Sequence, residues 1–323
     1  FILSAFLLCR PFLEEGRGGK VVERTSFFRR RVLRIMPLYA TAVLVAVVLS
    51  RKNPNALIDG LGSLFFFNSI TGTAGSLMPY SSVWWSLATE IQFYLLLPLL
   101  GFFLRGKIGR VVGLVALLSW AAATLILALN HGLVSNAVHF RLSLSLFGRM
   151  PAFLAGIAAA WLVSRYGEQI RSSARNVAWF RNGGADLLLL VVLFGLGLVL
   201  QQVTYRGFIQ TEVLAPASIL YESLLWTAVL LLVLLAPIRV GRWITNRVFT
   251  TLGLLSYSLY LIHEPVLFYS LIRVVNRGIP VAEDLGLRTL VFAIAFLACV
   301  TFSALTYRFI ERPFLVRKAR IDR

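Results

Sequence analysis

The sequence predicts an all-α protein, a polytopic transmembrane helical bundle with about nine spans present. Three observations lead there. Hydrophobic residues make up 58% of the chain and charged residues only 14%, against about 45–50% apolar and about 25% charged in soluble domains. The apolar residues come in blocks near the roughly 20 residues that an α-helix needs to cross a hydrocarbon core. Lys and Arg alternate between sparse and dense along the connections, as loops on opposite sides of a bilayer do.

The opening run Phe1-Ile2-Leu3-Ser4-Ala5-Phe6-Leu7-Leu8 is already apolar, and no charged segment precedes it. It reads as the tail of a transmembrane helix over 1–9 rather than as a signal peptide. Full spans follow at about 32–50, 83–104, 111–129, 147–165, 185–201, 218–236, 252–272 and 287–307, each an apolar run bounded by charge. Leu57 to Phe67 is too short to cross and contains Asp59, Gly60 and Gly62, so it is assigned to a loop near the interface. No internal repeat divides the chain, and residues 1–323 read as a single membrane domain.

Of the 32 Lys and Arg residues, 24 fall on one set of alternate connections. Their densest run, Arg10 to Arg34, is therefore placed in the cytoplasm, together with the C-terminus. This makes the protein a multi-pass resident of the cell membrane. The partial first segment then runs inward, which calls for one preceding helix and ten in all. The same distribution accounts for the net charge of +18, and nucleic acid is rejected as a partner. Cys9 and Cys299 both sit in apolar segments, with neither metal-ligand spacing nor an indicated disulfide. No metal is expected.

Ionisable groups at membrane depth are costly and mark candidate sites. Glu90 follows the aromatic anchor Trp84-Trp85 by about 10 Å of helix. Ser86 lies one turn before it on the same face, and Phe93 and Tyr94 continue that face. A buried carboxylate there can act as a base, orient a histidine or bind a substrate hydroxyl. The run Ser256-Tyr257-Ser258-Leu259-Tyr260-Leu261-Ile262-His263-Glu264-Pro265 places tyrosines and His263 on overlapping faces. Pro265 lacks an N–H, so a kink is expected there. His263 admits three readings: catalysis, contact with substrate or cofactor, and packing. Arg29, Arg30, Arg31 and Arg34 crowd a cytoplasmic helix start, where an anionic headgroup or a pyrophosphate would suit them. Glu222 and Arg149 lie near outer helix ends, where snorkelling or a surface ion pair explains them.

These stretches also carry a resemblance. Phe1 to Leu7 resembles the F-x-L-S-G-F-L run of the acyltransferase-3 family of membrane O-acyltransferases, with Ala5 in place of Gly. Arg29 to Tyr39 is similar to that family's basic approach to R-I-x-P-x-Y. Trp85 to Tyr94 resembles W-S-L-x-x-E-x-Q-F-Y, with Glu90 at the family Glu and Ile91 where a second Glu is frequent. Ser256 to Pro265 is similar to S-Y-x-x-Y-L-x-H-x-P, and Arg308 to Pro313 resembles the closing E-R-P. The order and spacing of the five together are far more specific than any one alone.

The resemblance implies transfer of an acyl group, acetyl first of all, from acetyl-CoA or another acyl-CoA to a hydroxyl of a carbohydrate or lipid-linked glycan. The acyl-CoA is then a donor substrate, and no permanently bound cofactor is expected. In the family the key His and an accompanying Arg lie on the first of about ten helices. His131, His139 and His263 do not match that His, so its role passes to no residue here and the chain reads as an N-terminally truncated member. Glu90 and His263 remain the catalytic candidates. Arg29, Arg30, Arg31, Arg34, Ser86, Tyr257 and Tyr260 are the candidates for binding substrate or cofactor. The competing readings are a transporter or flippase of a lipid-linked sugar, which would favour matching broken helices in two halves, and a non-catalytic membrane sensor.

Overall fold

A computed structural model describes residues 1–67, 74–130, 132–205, 216–275 and 284–319. The described residues are overwhelmingly helical, as the hydropathy blocks require, since a helix satisfies every backbone polar group internally. The helices are α1 (Ile2–Gly16), α2 (Arg24–Leu49), α3 (Ala56–Leu64), α4 (Trp84–Leu104), α5 (Gly106–Leu129), α6 (Asn136–Leu144), α7 (Leu146–Asn176), α8 (Ala185–Tyr205), α9 (Pro216–Leu235), α10 (Arg247–Val275), α11 (Leu285–Thr306) and α12 (Arg312–Ala319).

Among the described residues, six helical stretches are long and apolar enough to cross a bilayer: Arg24–Leu49, Trp84–Leu104, Gly106–Leu129, Asn136–Asn176, Phe180–Gln201 and Leu285–Arg317. The protein is a multi-span helical membrane protein. Three of the nine anticipated spans fall short of that measure for separate reasons. α1 has only 15 residues. The apolar stretch in α9 is the shorter run Ile219–Leu235. α10 has 29 residues, but its Ser, Tyr, His and Glu side chains dilute the apolar run. The stretch assigned to a loop near Leu57 is in fact the nine-residue helix α3. α10 also continues through Pro265 as one helix.

The chain forms two compact units. The first comprises Phe1–Val22 and Thr89–Ile244; the second comprises Glu23–Ala88 and Thr245–Arg323.

In the first unit α1 lies along α7, and α9 packs against α7 and α8. Gly156 permits the closest approach, because a Cβ there would sit 2.4 Å from the Ile2 carbonyl oxygen. Phe153 is fully buried in this seam, stacked on Phe93 at 4.2 Å. α5 is left open along almost its whole length, with Val111, Leu114, Val115, Leu118 and Leu125 exposed, as suits a helix that faces lipid.

In the second unit α10 packs on α11, and α3 packs on α2. Tyr39 in α2 donates to the Ser63 carbonyl at 2.8 Å. Asp59 in α3 accepts from the Ser76 hydroxyl at 2.6 Å and its N–H at 3.2 Å. Gly60 lies so close to Val47 that a Cβ would come within 2.3 Å of it. The Ser258 hydroxyl of α10 donates to the Glu311 carboxylate, which also lies within electrostatic reach of Arg34.

Candidate functional site

Glu90 is the second residue that α4 contributes to the first unit. Its Oε1 accepts from the Ser4 hydroxyl at 2.9 Å and its Oε2 from the Tyr94 hydroxyl at 2.7 Å. Tyr94 is one helical turn away on α4, the i, i+4 neighbour that a helix places alongside. Ser4 comes from α1 and is held there by the tight α1–α7 seam at Gly156. Each carboxylate oxygen has two lone-pair directions, so two donors leave acceptor capacity in a half-buried group. Arg149, in the first turn of α7, and Glu222 in α9 lie within electrostatic range of each other. Of the two readings open for Arg149 and Glu222, snorkelling or an ion pair, this proximity inside the first unit favours the ion pair.

The corner between α6 and α7 is fastened beside Glu90. The Thr89 hydroxyl donates to the Leu144 carbonyl, and the Leu146 N–H donates to Gln92 Oε1 at 2.9 Å. Thr89 is fully buried, so its hydroxyl needs this partner.

The second unit holds the remaining candidates. The Tyr257 hydroxyl donates to the Ile35 carbonyl at 2.8 Å. Tyr260 donates to the Val83 carbonyl at 2.7 Å and shares a hydrogen bond with the Ser86 hydroxyl. His263 turns Nδ1 back onto its own helix, 2.8 Å from the Tyr260 carbonyl. Its Nε2 stands 3.9 Å from Glu264 Oε1, beyond hydrogen-bond distance. Arg29 and Arg34 are exposed on the second and third turns of α2, and Arg30 and Arg31 are half-buried there.

The structure thus places Ser86, Tyr257, Tyr260 and His263 in the second unit with Arg29, Arg30, Arg31 and Arg34, and Glu90 in the first. A cavity of about 780 Å³ in the second unit is walled by Leu38, Thr41, Trp84, Leu261, Pro265 and Tyr269, among others. Among the described residues, Tyr257, Tyr260 and His263 do not line it. Near that cavity the Tyr80 hydroxyl meets the Tyr269 hydroxyl at 2.7 Å. Burial, reinforced by that bond, raises the pKa of the Tyr80 phenol.

Sequence reasoning did not pair Ser4 with Glu90, although both stand inside family-like motifs. It also gave no role to His139. His131 lies outside the described residues.

Apolar helices that enclose a carboxylate fed by two hydroxyls define an integral membrane protein with an acidic site inside the bundle. The chain belongs to the acyltransferase-3 family: that family's model, described as an acyltransferase domain, matches residues 1–308. It is 26% identical over 335 residues to the protein named "Putative O-acetyltransferase SACOL0978" of Staphylococcus aureus strain COL, with 97% of this chain and 51% of that protein covered. It is 23% identical over 332 residues to O-acetyltransferase OatA of Staphylococcus aureus strain NCTC 8325, with the same coverage. The chain spans about half the length of these curated relatives. No solved structure matches it.

Proposed function

We propose that this chain is the membrane part of an O-acyltransferase. It would transfer an acyl group, acetyl in the first instance, from an acyl-CoA to a hydroxyl of a carbohydrate or lipid-linked glycan. Family membership and the O-acetyltransferase names of its relatives support the reaction class. The observation that carries the site is Glu90, whose carboxylate is positioned by Ser4 and Tyr94 and keeps capacity for one more hydroxyl.

In the reaction the acceptor oxygen attacks the thioester carbonyl, a C–O bond forms, the C–S bond breaks and CoA leaves as its thiolate. The hydroxyl proton goes to a base, which no residue of this chain is assigned to supply. Glu90 holds the acceptor hydroxyl or orients that base. Arg29, Arg30, Arg31 and Arg34 hold the CoA phosphates, since guanidinium groups pair well with phosphate oxygens. Ser86, His263 and the rings of Tyr257 and Tyr260, whose hydroxyls are taken by the Ile35 and Val83 carbonyls, form a wall of the substrate path, with His263 Nε2 left to meet it. The finer topology belongs to the same reading. It has nine crossings and a cytoplasmic C-terminus in the cell membrane, and it rests on the alternation of Lys and Arg along the connections.

The test is acyl transfer from radiolabelled acetyl-CoA to glycan in membranes carrying the full-length protein, wild type against Glu90→Gln. Transfer is expected to fall about 100-fold, roughly 2.7 kcal/mol of barrier, at an unchanged protein level. Wild-type transfer by the variant removes Glu90 from the site.

A further inference from the structure

His139 is 1% exposed, and among the described residues neither ring nitrogen has a hydrogen-bond partner. Buried polar groups are almost always paired, because the water they give up must be replaced. A neutral imidazole gives up two such interactions, one as donor and one as acceptor. Nothing in the mechanism above uses it.

Its position in the first unit adds a second observation. His139 stands on α6, five residues before Leu144 and so about 7.5 Å along the helix axis from the α6–α7 corner. That corner is fastened to α4 at Thr89 and Gln92, the positions that flank Glu90. Gly148 lets it close, since a Cβ there would meet the Leu142 carbonyl oxygen and Ser143 Cα at 2.6 Å. These bonds tie the C-terminal end of α6, and the start of α7, to the helix that carries the carboxylate. A Phe or Leu at position 139 would carry no such desolvation cost.

We infer that His139 is a substrate-contacting residue that takes a hydroxyl of the acceptor. A hydroxyl both donates and accepts, which matches the two faces of a neutral imidazole. Neighbouring hydroxyls on a sugar ring can occupy both nitrogens at once. The ligand class is a polyhydroxylated acceptor, and the thioester donor has no part in this contact. The inference rests on the acyltransferase reading for the identity of the ligand, while the unpaired histidine stands independently of it.

The experiment uses the full-length protein in nanodiscs, with acetyl-CoA as donor and a water-soluble tetramer of N-acetylglucosamine as the acceptor probe. Wild type, His139→Phe and His139→Asn are compared by thermal melting, by melting in a titration of the tetramer, and by acetyl transfer to it. His139→Phe is expected to melt at or above the wild-type temperature, because it removes a buried unpaired group. It is also expected to lose the tetramer-induced rise in melting temperature and to show an acceptor KM at least tenfold higher, with the acetyl-CoA KM unchanged. His139→Asn, which keeps a donor and an acceptor, should recover part of the acceptor KM.

An unchanged acceptor KM and tetramer response in His139→Phe overturns the inference alone. A lower melting temperature for His139→Phe also overturns it, since it would mean that the protein itself holds the imidazole. A wild type that is stabilised by the tetramer but transfers no acetyl group overturns the acyltransferase reading and leaves His139 to be judged by the melting titration. A wild type that neither transfers to the tetramer nor responds to it overturns both for this acceptor class.

Discussion

Two polar regions interrupt the apolar helices of this protein, and they spend their hydrogen-bonding capacity differently. In the first unit the hydroxyls of Ser4 and Tyr94 both serve one carboxylate, Glu90. In the second unit Tyr257 and Tyr260 hand their hydrogens to the backbone carbonyls of Ile35 and Val83, and His263 turns onto its own helix. A hydroxyl bonded to a carbonyl removes a cost of burial and locks two segments together. Two hydroxyls converging on a carboxylate fix a group that retains acceptor capacity and charge. Polarity at membrane depth is therefore only half of a functional argument. The other half is whether any capacity remains once the protein has paired its own groups.

That contrast breaks most readily at Glu90. Glu90→Gln keeps the shape but loses the charge and one acceptor oxygen, and the expected outcome is the roughly 100-fold fall in transfer already given, 2.7 kcal/mol of barrier. Melting in detergent should be nearly unchanged, because Ser4 and Tyr94 can still donate to the amide oxygen. Ser4→Ala is the next step down. It removes one hydrogen bond to a charged acceptor, worth about 1.5–3 kcal/mol gross of any relaxation, while Tyr94 still holds the other oxygen. Transfer is expected to fall about tenfold, seen in kcat more than in the KM of acetyl-CoA. Wild-type kcat in Ser4→Ala means that Tyr94 alone positions the carboxylate.

These two residues also mark what could be read in the sequence. Glu90 was legible by itself, since a carboxylate about two turns into a helix that opens on Trp84-Trp85 is rare enough to single out. Its partner was not, because Ser4 lies 86 positions away and only the packing of α1 on α7 brings it near. The long apolar helices α2, α4, α5, α7, α8 and α11 were legible from hydropathy alone. Their polar ends were not, so α7 runs on to Asn176 and α10 begins at Arg247, beyond the apolar runs that announced them. α3 and α6 have nine residues each, too short for a periodic signal, and what holds them is tertiary: Tyr39 on Ser63 for α3, and Thr89 on Leu144 at the end of α6. For Arg149 and Glu222 the sequence left snorkelling and an ion pair both open, and only the packing of their helices brings the two within electrostatic range. Each looks like an ordinary charge near a helix end until α7 and α9 pack.

The second region should respond in stability rather than in rate. Tyr260→Phe removes the bond to the Val83 carbonyl and the bond shared with Ser86. About 1–2 kcal/mol of stability is expected to go, at roughly 1 kcal/mol per neutral hydrogen bond, read as a lower melting temperature. Transfer per folded molecule should stay within about threefold, a change of roughly 0.65 kcal/mol in barrier. A loss of transfer comparable to that of Glu90→Gln, with unchanged melting, would put the Tyr260 hydroxyl, and not only its ring, on the substrate and erase the contrast between the regions.

Tyr257→Phe is the mildest case and the most exacting for the comparison. Its hydroxyl donates to the carbonyl of Ile35, which lies inside α2 and has an in-helix donor at Tyr39 by the regular i to i+4 pattern. Losing the phenol oxygen therefore leaves no orphaned acceptor, only one fewer bond, and the expected cost is about 0.5–1 kcal/mol. The ring still packs, so transfer should match wild type within error while the melting temperature drops slightly. The informative measurement is the double variant Tyr257→Phe with Glu90→Gln. If the regions act as described, one on stability and one on rate, the stability loss of the first and the rate loss of the second should simply combine, as they do for sites without shared partners. A rate loss that deepens when Tyr257→Phe is added to Glu90→Gln would mean that both regions act on the same reacting group.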